Sequence, residues 1–333
     1  MVWRSVLNDG TLEQFDEDCH FPCRDLSAAS PQSADDASYT YNMDDIDTIS
    51  STLGIPWETS KDIPFTFRPV FIGLIWDISL LTVELTQTKK EKYLLAIQAW
   101  SADSVHVLKQ VQELYGKLLH ACLVLPAGRS RLIGFESMLT TGQANPFIPC
   151  HAPHTITDVL VWWTATLQSK TLCRSIPHPI TLFDSHAYSD ASSGIGIGFI
   201  IGTCWQAWCL IPGWTTLNGK RDIGWAEAVG FELLVHSVIS VGGHTRHYKL
   251  YGDNKGVVEG WWKGHSRNSA VNTVFQRIQN YLASLDAAEI IHSVYVPSAQ
   301  NPADEPSCGI YQSDSLLLPP IPLHPSLIPF LVD

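Results

Sequence analysis

The sequence predicts a mixed α/β (α+β) fold, in which a five-stranded mixed sheet with flanking helices follows a mainly helical region. Two observations support this class. Beyond residue 180, apolar alternation predicts three consecutive strands, after which helical and strand segments alternate. That order is typical of a mixed sheet with helices packed on it. Before residue 180, apolar residues recur at three- and four-residue spacing over four segments, which predicts amphipathic helices.

The same patterns place each element along the chain. A hairpin is predicted at residues 70–77 and 81–85, and four helices at 88–100, 104–122, 128–139 and 155–167, with Ser104 and Thr155 as candidate caps. Five strands are predicted at residues 187–191, 194–201, 204–210, 248–252 and 290–296. Three further helices are predicted at residues 222–239, 255–263 and 270–285.

Changes in composition divide the chain into four parts. These are an acidic, poorly ordered segment (1–50), the helical region (51–179), the mixed-sheet domain (180–311) and a proline-rich tail (312–333). Five prolines within residues 316–332 exclude a helix there, and we expect a loosely ordered tail. The first segment holds 11 of the 33 acidic residues and only 2 basic ones, so most of the net charge of −12 arises there. This composition excludes a simple basic-patch binder, but not a site that gains positive charge from metal ions.

The cysteines and one uncharged apolar stretch provide evidence on the cellular compartment of the protein. The eight cysteines are scattered and no signal-peptide pattern begins the sequence, so we expect reduced thiols in an intracellular protein, cytoplasmic or nuclear. Cys19 and Cys23 suggest zinc, but no second ligand pair follows at finger spacing. Residues 195–214 carry no charge, yet their glycines and their small-large alternation favour strands, and we expect no membrane partner.

Four carboxylates in the mixed-sheet domain occupy positions that suggest catalysis. Asp190 and Asp253 each lie at the end of a predicted strand, Glu227 lies one turn into an apolar helix, and Asp304 lies in a proline-bounded loop. Each alone has a structural explanation as a turn former, a helix cap or an answer to the helix dipole. If the first and fourth strands are neighbours, however, the acids converge and repel one another unless divalent cations neutralise them. Oxygen ligands select hard ions, of which Mg²⁺ is the usual one.

The phrases around these acids resemble the type 1 ribonuclease H domain of retroelement reverse transcriptases, and in particular that of fungal retrotransposon polyproteins. They are Ser189-Asp190-Ala191-Ser192, Ile223-Gly224-Trp225-Ala226-Glu227, Gly252-Asp253-Asn254, Lys263-Gly264-His265-Ser266-Arg267-Asn268 and Asn301-Pro302-Ala303-Asp304. The resemblance covers residues 181–311. It implies a ribonuclease H-like sheet and cleavage of the RNA strand of RNA/DNA hybrids by two Mg²⁺ ions, with Mn²⁺ as a possible substitute.

The resemblance also implies residue roles. Asp190 is expected to bridge both ions, with Glu227 and Asp253 completing one site and Asp304 the other. Contacts to the hybrid are expected from six residues, for which a solvated helix end is the structural alternative: Ser192, Asn254, Lys263, Ser266, Arg267 and Asn268. Two departures from the family pattern weaken phosphate contact, namely Cys308 in place of a basic residue and His265 in place of an arginine. His292 lies mid-strand and is expected to be structural.

The region before the mixed-sheet domain resembles the thumb and connection that follow a polymerase palm. The residues that carry this resemblance include Phe71-Ile72-Gly73-Leu74-Ile75-Trp76-Asp77 and Gly128-Arg129-Ser130-Arg131-Leu132. The stretch Tyr41-Asn42-Met43-Asp44-Asp45 has one residue too many for the polymerase Tyr-x-Asp-Asp turn, and a helix or acidic linker is favoured there. We therefore expect a truncated reverse transcriptase without polymerase activity, with a longer reverse transcriptase chain as its candidate partner.

Two further functions stay open at this point. The first is a catalytically degenerate retroelement remnant that acts as a nucleic-acid or protein interaction module. The second is a related fold with integrase or resolvase chemistry on duplex DNA, although those families arrange their acids differently.

Overall fold

The computed structural model describes residues 43–55, 66–100, 105–169, 172–176, 180–217 and 219–332. Most of the predicted acidic segment therefore lies outside the described residues, together with the Cys19/Cys23 alternative and the Ser104 cap. The chain divides into two compact units, residues 1–69 with 77–80 and residues 70–76 with 81–333.

In the first unit, the described residues include α1 (Met43–Thr52). The hydroxyls of Thr48 and Thr52 donate hydrogen bonds to the carbonyls of Asp44 and Thr48, one helical turn earlier. Asp44 and Asp45 lie in the first turn of α1, where carboxylates favour the helix dipole. Of the helix and the acidic linker that the sequence left open for this stretch, the structure forms the helix at Met43–Thr52, in a segment expected to be poorly ordered, and no polymerase-type turn is present at these two aspartates.

The helical part of the second unit contains a small sheet and four helices. Its elements are β1 (Val70–Phe71), β2 (Leu74–Asp77), β3 (Thr82–Leu85), α2 (Gln87–Gln98), β4 (Val105–His106), α3 (Leu108–Ala121), α4 (Ile133–Ala144), β5 (Cys150–His151), α5 (Ile156–Gln168) and β6 (Cys173–Ser175). The four predicted helices are present, although the third starts late, because residues 126–131 form a 3₁₀ helix first. Thr155 precedes α5 without a side-chain cap, so the predicted cap is wrong. Val111, Leu118, Phe135 and Trp163 are fully buried between these elements.

The mixed-sheet part has a second and larger core. Its elements are β7 (Leu182–Ala191), β8 (Gly196–Ile201), β9 (Cys204–Leu210), α6 (Ile223–Gly242), β10 (His247–Gly252), α7 (Lys255–Lys263), α8 (Ser269–Ser284), β11 (Ile291–Tyr295), α9 (Asp304–Ser307) and β12 (Leu331–Val332). The strand order is β11-β10-β7-β8-β9-β12. Strands β7, β8 and β9 are antiparallel, whereas β10 lies parallel to both β7 and β11. This confirms the predicted α+β class with a ribonuclease H-like mixed sheet.

The tail differs from its prediction, because it is packed rather than loose. Strand β12 pairs antiparallel with β9 and adds a sixth strand to the five predicted ones. Leu318, which precedes the first tail proline, Leu327, which lies between two of them, and Leu331, which follows the last, are buried in the larger core. The prolines prevent a helix, as expected. Burial of these three leucines stabilises the packed tail and opposes the entropy lost on ordering it.

Helix α6 is the central helix of the larger core. Within the described part of the chain it is the one helix long and apolar enough to cross a membrane, and 78% of that stretch is buried inside the protein. Asp222 caps it by accepting a hydrogen bond from the Trp225 backbone at 3.0 Å. The burial explains why its residues are apolar on all sides.

The two parts of the second unit are joined by polar contacts at α8. The Ser130 hydroxyl donates to Gln279 at 2.9 Å, and Gln276 donates to the Ser130 carbonyl at the same distance. Arg131 donates to Asn280 at 2.9 Å. The 3₁₀ helix at residues 126–131 is therefore fixed against the mixed-sheet domain.

Candidate metal centre

Three of the four predicted acids come together at one edge of the sheet. Asp190 is the second-last residue of β7 and Asp253 directly follows β10, and these strands are parallel neighbours with Ser189 opposite Gly252. Their carboxylates therefore emerge side by side, as the sequence analysis anticipated for neighbouring strands. Helix α6 crosses this edge and brings Glu227 to them, so that one oxygen from each of the three carboxylates lies within 4.8 Å of the others.

The fourth acid, Asp304, lies at the rim of this cluster. It is the first residue of α9, it is exposed, and it is not part of the group within 4.8 Å. Its charge still reaches Asp190, since it contributes to raising the pKa of that carboxyl. The structure thus groups two buried acids and one half-buried acid, with the exposed Asp304 outside that group.

Three polar side chains that the sequence analysis did not assign support the carboxylates. The Ser307 hydroxyl donates a hydrogen bond to Asp190, and the Ser298 hydroxyl donates one to Asp253. The Asn301 amide donates to the Ser189 carbonyl at 3.0 Å and lies 3.5 Å from an Asp190 oxygen. All three lie within ten residues around Asp304. Their proximity to a suspected ligand is the sequence signal that could have identified them.

Close packing of α9 on the sheet depends on Gly198. This residue lies opposite Asp190 in the β7–β8 pair. A side chain there would overlap the backbone of Pro306 and Ser307. Glycine therefore allows α9 to approach the strand closely enough for Ser307 to reach Asp190.

The protonation of the cluster reflects its burial and its charge. Asp190 is 6% exposed and Glu227 is 8% exposed. Burial above all raises the pKa of Asp190 to about 6; the bond from Ser307 opposes this rise, and the charges of Asp253 and Asp304 add to it. Burial, followed by the charges of Asp190 and Asp253, raises the pKa of Glu227 to about 9. The isolated protein therefore carries a proton on Glu227 at neutral pH.

The donor set fits a hard divalent cation. All ligand atoms offered by Asp190, Glu227 and Asp253 are carboxylate oxygens, and no sulfur or imidazole ligand belongs to the group. A bound cation would remove the mutual repulsion that raises the pKa of the two buried acids. The cluster can therefore hold a metal ion.

The six residues expected to contact substrate lie along α7, α8 and the β7–β8 turn. The side chains of Asn254 and Asn268 cap α7 and α8 by accepting hydrogen bonds from Val257 and Ala270. The Ser192 backbone closes the β7–β8 turn with a 2.8 Å bond to Gly196.

The remaining members of this set lie between α7 and α8. The Ser266 backbone donates to Asn272 at 2.7 Å. Lys263 is exposed and pairs with Glu259 at 2.8 Å, and Arg267 is exposed. The predicted structural alternative, a helix end, thus applies to several of these residues, and their contact with substrate stays a prediction.

Two histidines considered above are part of the packing. His265 is half-buried, and burial lowers its pKa, while the nearby Glu136 opposes this shift. His292 lies in β11 and is 3.0 Å from His247, ring nitrogen to ring nitrogen. Neither is among the residues that surround the carboxylates.

A scan against protein-family models finds no match, and a search of curated proteins finds none either. Two solved structures to which the chain is similar are those of foamy viral protease-reverse transcriptase, one in complex with RNA/DNA hybrid and one with dsDNA. The first is 13% identical over 78% of this chain and 34% of that chain, with a TM-score of 0.29. The second is 13% identical over 77% of this chain and 51% of that chain, with a TM-score of 0.30. The chain thus spans about a third and about half of those two chains, and the fold assignment rests on the sheet order and register described above.

Proposed function

We propose that this protein is a ribonuclease H-type endonuclease that hydrolyses the RNA strand of RNA/DNA hybrids with two Mg²⁺ ions, for which Mn²⁺ can substitute. The observation that carries the proposal is the convergence of Asp190, Glu227 and Asp253 within 4.8 Å at the edge of a ribonuclease H-like sheet. Burying two of these acids is costly unless cations offset the charge. A functional metal site accounts for that cost.

Each side chain has a role in this proposal. Asp190 would hold both ions, Glu227 and Asp253 would complete one site, and the exposed Asp304 would serve the other. When bound, such ions activate water for attack on a phosphodiester and stabilise the leaving oxygen. Ser307 and Asn301 orient the Asp190 carboxylate, and Ser298 orients Asp253.

The substrate surface in this proposal surrounds the cluster. Ser192 and Asn254 lie next to the acids in sequence, and Lys263, Ser266, Arg267 and Asn268 extend the surface along α7 and α8. Recognition by shape and by 2′-hydroxyl contacts would distinguish the RNA strand, because A-form helices expose these groups in a shallow groove.

We also propose that the chain derives from a fungal retrotransposon polyprotein, with residues 51–179 as the thumb and connection and residues 180–311 as the nuclease. The motifs quoted above support this origin. On this view the protein is intracellular, and a longer reverse transcriptase chain is its candidate partner.

The test is cleavage of a labelled RNA/DNA hybrid by the purified full chain in Mg²⁺. We expect RNA-strand cleavage that disappears with chelator and in Asp190→Asn, while Asp158→Asn, an exposed change at the start of α5, leaves it unchanged. No cleavage at any Mg²⁺ or Mn²⁺ concentration would refute the nuclease and favour the interaction module. Cleavage of DNA duplex but not of the hybrid would instead indicate integrase- or resolvase-type chemistry.

A further inference from the structure

Helix α7 presents an exposed tryptophan that the proposed chemistry does not use. Trp262 is 71% exposed, and it is the one tryptophan among the described residues with an exposed side chain. The preceding residue, Trp261, packs against Phe231 and Phe275 and donates from its indole to the Ile291 carbonyl at 3.1 Å. The fold therefore buries one indole of this pair and leaves the other in solvent.

The surface around Trp262 is basic, in contrast to the chain as a whole. Lys255, Glu259 and Trp262 follow one another at spacings of four and three residues, so they share one face of α7. Lys263 is the next residue, and Arg267 follows the end of the helix. Two lysines, Lys255 and Lys263, thus accompany one anion, Glu259, which pairs with Lys263 at 2.8 Å, in a protein whose net charge is −12. This face is complementary to a phosphate backbone.

A second aromatic ring adjoins the same face. Tyr295, the last residue of β11, is 42% exposed, and the Lys255 ammonium lies 5.0 Å from its ring centre. Aromatic rings interspersed with cations are the usual surface for single-stranded nucleic acid, because unpaired bases stack on the rings while the cations neutralise phosphates. In a duplex the base faces are already stacked, so an exposed indole has little to bind there.

The position of this face relative to the acids sets the distance to the reaction. Helix α7 begins directly after Asp253 and Asn254. Trp262 is eight residues beyond Asn254, or about 12 Å along the helix axis at 1.5 Å per residue. At about 3.4 Å of rise per nucleotide, this corresponds to about three or four nucleotides from the metal centre.

We infer that the face formed by Lys255, Trp262, Lys263 and Tyr295 binds a single-stranded extension of the hybrid, with an unpaired base stacked on the Trp262 indole. This inference rests on the proposed function, since it deepens the definition of the substrate. It assigns the protein a preference for hybrid that borders single-stranded nucleic acid over blunt-ended hybrid.

The experiment measures binding separately from cleavage. Dissociation constants are determined by fluorescence anisotropy in Ca²⁺ in place of Mg²⁺, for a blunt hybrid and for the same hybrid with overhangs of about six nucleotides on either strand, which exceed the estimated reach. We expect Trp262→Ala to weaken binding of an overhang hybrid at least about fivefold, the lower limit for loss of one stacked base. Blunt hybrid should change less than about twofold, and Trp262→Phe should retain most of the affinity.

Phe147→Ala is the matched control, because Phe147 is an exposed aromatic residue (88%) in the helical part. It should alter neither dissociation constant. The inference would be overturned if Trp262→Ala lost affinity equally for both hybrids, if it lost affinity for neither, or if the wild type showed no preference for an overhang. Loss of affinity for neither hybrid would favour a protein partner for this face. Overhang preference without any cleavage of hybrid in Mg²⁺ would refute the nuclease while leaving this face as a nucleic-acid site.

Discussion

Replacing Glu227 by glutamine should stabilise the metal-free protein while removing a metal ligand. The carboxyl is 8% exposed, and burial with the neighbouring acids raises its pKa from 4.5 to about 9. In the folded protein it is therefore protonated at pH 7, whereas in the unfolded chain it is ionised. Glutamine resembles the protonated carboxyl at every pH, so the folding of the variant does not include the free-energy cost of protonating Glu227.

The magnitude follows from the two pKa values. A group whose pKa is raised on folding contributes its full stability below the unfolded value of 4.5 and loses it as pH rises toward about 9. At pH 7 the loss is 2.5 pKa units, or about 3 kcal/mol at 1.36 kcal/mol per unit. For a domain of this size that corresponds to a rise of about 6–12 °C in melting temperature for Glu227→Gln. The difference should vanish near pH 4.5 and grow toward pH 9.

The assay is thermal unfolding followed by circular dichroism in chelator at about pH 4.5, 7 and 9, repeated with Mg²⁺. Added Mg²⁺ should raise the melting temperature of the wild type more than that of the variant, because a ligand stabilises the state that binds it. Glu232→Gln, on the same helix, is the contrasting control. Glu232 forms a buried ion pair with Arg277 at 2.5 Å, so its loss should destabilise the protein by about 3 kcal/mol.

Two results would refute this reasoning. One is a Glu227→Gln variant no more stable than the wild type at pH 7 in chelator. The other is a stability difference that does not change with pH, because the argument attributes all of it to the titration of one carboxyl.

Three further predictions concern neighbouring features. Ser307→Ala removes a hydrogen bond that lowers the pKa of Asp190. As the pH is lowered, the variant should therefore lose activity at a higher pH than the wild type does. Profiles of kcat/KM between pH 5.5 and 9 that run parallel for the two proteins would contradict this. Asp304→Asn should leave the stability of the metal-free protein within about 0.5 kcal/mol of the wild type, because the side chain is exposed, yet raise the Mg²⁺ concentration needed for half-maximal cleavage; an unchanged requirement would argue against a ligand role. Deleting residues 313–333 removes three buried leucines and should cost at least about 3 kcal/mol in thermal unfolding, whereas an unchanged melting temperature would show that the tail packs without stabilising the fold.

Local patterns in the sequence predict most of the elements but not all of their limits. The alternation in β7–β9 and the apolar spacing in α6–α8 depend on neighbouring residues along the chain, so the pattern carries them directly. Asn254 and Asn268 mark the starts of two helices for the same reason, since a cap acts within its own turn. The prediction of a loosely ordered tail was wrong because its five prolines show only which structure the backbone cannot form. They do not show what the leucines beside them contact.

The convergence of the acids in the metal cluster depends on tertiary structure. The sequence by itself determined the four acids and their local settings, because strand ends, turns and helix starts are local features. Only the fold decided that Asp190, Glu227 and Asp253 meet within 4.8 Å while Asp304 stays at the rim. Their convergence depends on the parallel pairing of β7 with β10 and on the crossing of α6, contacts between residues far apart in the chain. Such contacts also create the burial that raises the pKa of Glu227, because a change in dielectric surroundings arises only when distant parts of the chain exclude water together.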